Sequence, residues 1–171
     1  MGISMASVSF RRTDNVNWLE LKPKIMAMYQ NVEGLTNNLE QEQNAYAIVS
    51  PYGDLGMILA EMPEVISRLT GDYAVFCECM DSDFALLELY HNGNSIDKCI
   101  IGKPLMAAEI SAMMNVGAPD LAKWKPLLQN PKDGWRLRAA LAARTLFVEN
   151  KLRKISALVG LPIFEDDLVL V

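Results

Sequence analysis

Between Tyr73 and Ile101 the chain sets down three extended runs separated by two turn signals, and this stretch limits the fold more than any other. Tyr73–Cys79 is rich in aromatic and β-branched residues, Asp81-Ser82-Asp83 is a polar turn, and Phe84–Tyr90 is a second run. Asn92-Gly93 then supplies the residue pair that best tolerates the left-handed positions of a tight hairpin, and Ser95–Ile101 returns. The spacing predicts a three-stranded antiparallel meander. Phe84–Tyr90 is apolar on both faces (Phe84 and Leu86; Ala85, Leu87 and Leu89), which predicts cover from two sides. Helices would cover one side, and a loop, a second layer or a second subunit the other.

Around this meander the pattern alternates between extended and helical. Val8, Phe10 and Arg12 alternate with small or polar residues, so 6–12 reads as a half-buried first strand. Asp14 or Asn15 is placed to cap a helix carrying Trp18, Leu21, Ile25 and Met28, which either kinks at Pro23 or begins near Lys22. The polar stretch 31–44 reads as a loop with one helical turn, 46–49 as a strand and 51–54 as a turn. Residues 55–61 fit either a strand or a helix, and Pro63 suits the first turn of a helix through Leu69 that stops at Gly71. Beyond Gly102 the segments 105–115, 119–129 and 133–159 are helix-like. The last has Asp133 as its cap, with Leu137, Leu141, Val148, Leu152 and Ile155 on one face and Gly160-Leu161-Pro162 as its stop. The tail 163–171 sets three acidic residues before Leu-Val-Leu-Val, an edge-strand pattern. Strands first and helices after predict an α+β fold in which helices cover one sheet face, as a single domain over 1–171. Its sheet-containing part is 1–102 and its helical part 103–171.

Charge narrows the function classes. The net charge is −5, yet residues 134–155 carry six basic side chains against Glu149 alone, so the remainder of the chain sums to −10. An acidic chain of this kind disfavours nucleic acid, whose binding rests on neutralised phosphates. No apolar run reaches the roughly 20 residues that span a bilayer, and the amino terminus lacks a signal-peptide pattern, so the expectation is a cytoplasmic protein with no membrane partner. Three cysteines form no disulfide framework and suit a reducing compartment.

The chemistry-bearing residues are few. His91 is the sole histidine and sits at a hairpin turn, where it leaves a Ser-His-Asp or Cys-His arrangement little to build on. Cys77 and Cys99 would lie about 10 Å apart in one row across the sheet, too far for a disulfide, and read with Cys79 as small buried apolar groups. No phosphate-binding glycine pattern and no nucleophile elbow is present. Asp81 and Asp83 offer two carboxylates at one turn, with Glu78 and Glu88 on the adjoining strands; this could bind a hard cation or small ligand, or simply satisfy turn amides. Arg136, Arg138, Arg144 and Lys151, with Arg153 and Lys154, form a basic tract that could meet an acidic protein or only balance the acidic remainder.

A strand ending in Ser50-Pro51, a helix with Ile66-Ser67-x-Leu69, and a strand into Asp81-Ser82-Asp83 come first. The Asn-Gly hairpin follows, and finally Phe147-Val148-Glu149-x-x-Leu152 runs into Leu158-Val159-Gly160. This order resembles a group of small bacterial cytosolic α+β proteins without an established activity; the resemblance implies a fold and carries over no functional residue. The expectation is a non-catalytic protein-binding module, immunity- or adaptor-like, using neither metal nor cofactor and able to form a homodimer through its sheet. The alternative is a carboxylate-based metal or small-ligand protein, or an enzyme, centred on the Asp81–Asp83 turn.

Overall fold

The computed structural model describes residues 2–30, 35–39, 43–50, 56–142 and 144–164. Its meander is built as the turn residues dictate. Strands β4 (Tyr73–Met80) and β5 (Phe84–His91) pair antiparallel from Tyr73↔His91 to Met80↔Phe84. Asp81 (φ 48°) and Ser82 (φ 56°) take the left-handed positions of the connecting turn. At the next turn Asn92 (φ 50°) and Gly93 (φ 77°) reverse the chain into β6 (Asn94–Gly102), with a register irregularity at Leu89/Tyr90. Strand β1 (Met5–Arg11) pairs with β4 on one side and with β3 (Ala45–Ser50) on the other. A two-residue strand β2 (Thr36–Asn37) lies within the stretch expected to be loop. The result is a six-stranded antiparallel sheet in the order β2-β3-β1-β4-β5-β6, with helices packed on it: an α+β fold.

Helices cover both sheet faces, not one. On the first face Met5, Val49, Cys77, Leu87 and Ile101 meet Trp124, Leu137, Leu152, Ile155 and Val159 of the C-terminal helices. On the second, Val8, Phe10, Ile48, Phe76 and Leu86 meet Leu21, Ile25, Met62 and Ile66. The apolarity of β5 on both sides is therefore matched from within the chain, without a second subunit on the sheet.

The helices differ from expectation in instructive ways. Helix α1 (Trp18–Tyr29) is capped by Asn17, whose side chain accepts from the Leu19 N–H at 3.2 Å, rather than by Asp14 or Asn15. It runs through Pro23 instead of starting near Lys22. Helix α2 (Gly56–Thr70) resolves 56–61 as helix, which puts Pro63 inside it rather than in its first turn; Gly71 follows at φ 65°. Helix α3 (Pro104–Met114) packs beside β6, and α4 (Leu121–Trp124) continues into a 3-10 turn over Lys125–Leu127. The segment 133–159 is two helices, α5 (Gly134–Leu141) and α6 (Val148–Val159). Between them the backbone is spent elsewhere: Ala142 is extended, Arg144 bridges Gly102, and the Thr145 N–H donates to the Gly102 carbonyl at 3.0 Å. The expected turn at 51–54 and the tail from 165 lie outside the described residues. No helix among the described residues is long and apolar enough to cross a membrane.

One seam ties the two parts of the chain together. The polar row of β1 is not a solvent face: Ser7 and Ser9 are fully buried. Their hydroxyls donate to the carbonyls of Ile163 (2.8 Å) and Pro162 (2.9 Å). Arg11, next in the row, donates to the carbonyls of Leu127 and Val159, the latter at 3.0 Å near the carboxyl end of α6, where a cation is favoured. Phe164 lies under the Arg153 guanidinium, 5.1 Å from its ring centre. Residues 161–164 thereby form a buried strap across the first face.

Candidate functional site

Helices α5 and α6 pack against each other, and their sequences explain which flank is left open. In α6, Val148, Leu152, Ile155 and Val159 recur at helical spacing and are buried against the sheet. In α5, Leu137, Ala140 and Leu141 do the same. The residues one step round each helix are small, namely Ala139 and Ala157, so the two helices leave a cleft of about 500 Å³ between them instead of closing over it.

The cleft's rim is basic. Arg136 projects from α5, and Lys151 and Lys154 from α6; Asp133 is the acidic lining residue. Asp133 lies 3.4 Å from the Arg136 guanidinium, in an exposed pair worth little energy but enough to bias where Arg136 points. The Lys151 ammonium donates to the Ala139 carbonyl at 2.6 Å, bridging the helices. Partial burial, and then the neighbouring Lys154 charge, lower the pKa of Lys151 from its ordinary value. A positive site that already resists its own charge gains from an incoming anion. Trp135 stands at the same cleft, 72% exposed, offering a large flat apolar surface beside cations. Alanine floor, cationic rim and exposed indole together suit an acidic segment that also carries apolar side chains.

Of the basic residues expected from sequence, this cleft gathers Arg136 and Lys151, with Lys154 from the same tract. It does not gather Arg138, which faces a separate recess beside Leu121 and Lys125, nor Arg144, which bridges Gly102 in the break between the helices. Arg153 is turned toward Phe164 and Asn150. Trp135 and the two alanines were not legible as site residues, because only the packing of two separate helices brings them together.

The Asp81–Asp83 turn has a different occupation. Asp83 pairs with Lys103, whose N–H also donates to the Asp83 carbonyl at 3.0 Å. The Asp81 N–H donates to the Ser4 hydroxyl at 3.0 Å, and Ser82 exchanges bonds with Ile3 through both its N–H and its hydroxyl, each at 2.9 Å. The turn thus anchors the amino-terminal segment beside β1. Glu88 is buried and paired with Lys98 at 2.9 Å. Among the described residues no three His, Cys, Asp or Glu side chains are grouped so as to hold a metal ion. His91 stacks on Tyr73, with ring centres 4.3 Å apart, instead of standing free in solvent. All three cysteines are buried and unpaired, with Cys77 and Cys99 on either side of Leu87 in one cross-strand row.

The chain matches no protein-family model, and no curated protein or solved structure is significantly similar to it.

Proposed function

We propose that the protein is a non-catalytic binding module, adaptor- or immunity-like, whose α5–α6 cleft receives an acidic, partly apolar segment of a partner protein. The observation that supports this most is the composition of that cleft: Arg136, Lys151 and Lys154 round an alanine floor, with Trp135 exposed beside them. Outside 134–155 the chain is strongly acidic, so an acidic partner is repelled elsewhere and steered to this flank. Interfaces are commonly anchored by an aromatic with arginine at its side, which is the pairing Trp135 and Arg136 offer. Three buried, unpaired thiols suit a reducing cytoplasm as the place of action.

The experiment compares tagged wild-type protein with the Arg136→Glu/Lys154→Glu variant, each incubated at low salt in a lysate of the source cells. The expected result is one stoichiometric protein partner that dissociates as salt rises and is lost on charge reversal. Both positions are exposed, so the variant's melting temperature stays near that of wild type. Recovery of the same partner by both proteins, or of no partner by the wild type, refutes the assignment.

A further inference from the structure

A second cleft, of about 440 Å³, opens on the opposite sheet face where the chain leaves β1 and enters α1. Arg12, Thr13, Trp18 and Tyr46 line it. Tyr46 is fully buried, its ring stacked on Trp18 (4.5 Å between centres, 9° between planes) and tilted against Phe10 at 5.8 Å. Its hydroxyl nevertheless has no hydrogen-bond partner among the described residues, and neither does the buried Thr13 hydroxyl. A buried hydroxyl left unmade costs about 1–3 kcal/mol, and phenylalanine at position 46 would pack the same ring without that cost. Two such hydroxyls, buried just behind residues that line one cleft, point to something that completes them.

The surroundings specify its charge. Arg12 is exposed at the mouth, its backbone N–H held by the Asn44 carbonyl at 2.9 Å. The positive amino end of the 12-residue α1 opens onto the same loop, and among the described residues Asp14 is the one carboxylate in the lining. Both hydroxyls are able to donate. We infer that this cleft binds a small ligand through an anionic oxygen group, carboxylate or phosphate, which accepts from Tyr46 and Thr13 and pairs with Arg12. Because neither hydroxyl oxygen is open to bulk solvent, the ligand shifts the half-buried Trp18 as it binds.

The test follows amide and indole N–H resonances of the ¹⁵N-labelled full chain during separate titrations with inorganic phosphate and with citrate, at ionic strength balanced by chloride. The expected result is a saturable shift confined to Arg12–Trp18, the Trp18 indole and Tyr46; the anion that produces it identifies the phosphate or the carboxylate source. Arg12→Gln weakens that binding about tenfold or more, as loss of a charge-assisted bond should. Tyr46→Phe weakens it several-fold while the melting temperature holds or rises, a combination that a purely structural tyrosine would not give. Shifts that fail to saturate with both anions overturn the inference. So does an anion affinity untouched by Tyr46→Phe and Thr13→Val, in which case buried water is what the two hydroxyls hold.

Discussion

Replacing Ser7 and Ser9 by alanine tests the seam on which the two-sided fold depends. Each hydroxyl is fully buried and donates to a carbonyl of the 161–164 strap, at 2.8 and 2.9 Å. A typical intramolecular hydrogen bond nets about 1 kcal/mol, and a stranded desolvated acceptor raises the loss to about 1–3 kcal/mol. The strap's Leu161, Ile163 and Phe164 are buried, so its carbonyls have little water to turn to. Each single variant should therefore lose about 1–3 kcal/mol. Because both bonds hold one strap, loss of the first loosens it and the double variant should lose less than the sum of the two singles, about 2–5 kcal/mol, still a large part of a domain's usual 5–15. Urea unfolding followed by tryptophan fluorescence measures this as a lowered midpoint at unchanged slope. Ser95→Ala, at an exposed site on β6, is the control and should change stability by less than about 0.5 kcal/mol. A double variant as stable as that control would mean that the strap is not seated on the sheet, and that β1 keeps a polar face to solvent after all.

Two further outcomes follow from buried titratable groups. Burial pushes the Cys77 and Cys99 thiols well up, and the Cys79 thiol to about 11. A thiol-specific reagent at neutral pH should leave all three unlabelled in the native protein and label all three in denaturant; rapid native labelling of Cys79 would contradict its burial. Burial also raises the pKa of Glu78 above its ordinary 4.5, so the folded state holds the proton more tightly than the unfolded one. Its contribution to stability is full below the unfolded pKa and is lost as pH rises through the folded one. Glu78→Gln should accordingly melt higher than wild type at neutral pH, with the difference shrinking toward pH 4; a difference that is constant with pH would exclude desolvation as its cause.

The meander was legible because its turns are written in single residues: Asn92-Gly93 and Asp81-Ser82 supply the left-handed backbone that a reversal needs. What was not legible arises from contacts distant in sequence. Ser7, Ser9 and Arg11 alternate as a solvent face would; the strap, 156 and 153 residues downstream, turns the two serines into donors at a buried seam, and the Leu127 and Val159 carbonyls do the same for Arg11. Residues 133–159 keep helical periodicity throughout, yet the bonds from the 144–145 backbone to Gly102 break them in two. The grouping of the cations follows: Arg138 parts from Arg136 because residues two apart on α5 face different sides, and Arg144 parts from both because it lies in the break. The identity of the cations was thus readable and their grouping was not. The second cleft left no mark in the sequence, since Tyr46 fits a buried strand equally well with or without a partner for its hydroxyl.

The central position of β1 bears on how the molecule is made. Its neighbour β4 begins at Tyr73, and the strap that closes over Ser7 and Ser9 arrives with Pro162 and Ile163. On the ribosome β1 can pair with β3 once Ala45–Ser50 has been added, but its other edge waits for β4, and its seal waits for acceptors 156 and 153 residues further on. Closing so long a loop is slow, and the row of Met5, Val49, Cys77 and Leu87 stays uncovered until Trp124, Leu137, Leu152, Ile155 and Val159 have packed on it. Covering the first face therefore comes after the strands of the sheet have been made, and until then the nascent chain presents an uncovered sheet face to any chaperone within reach.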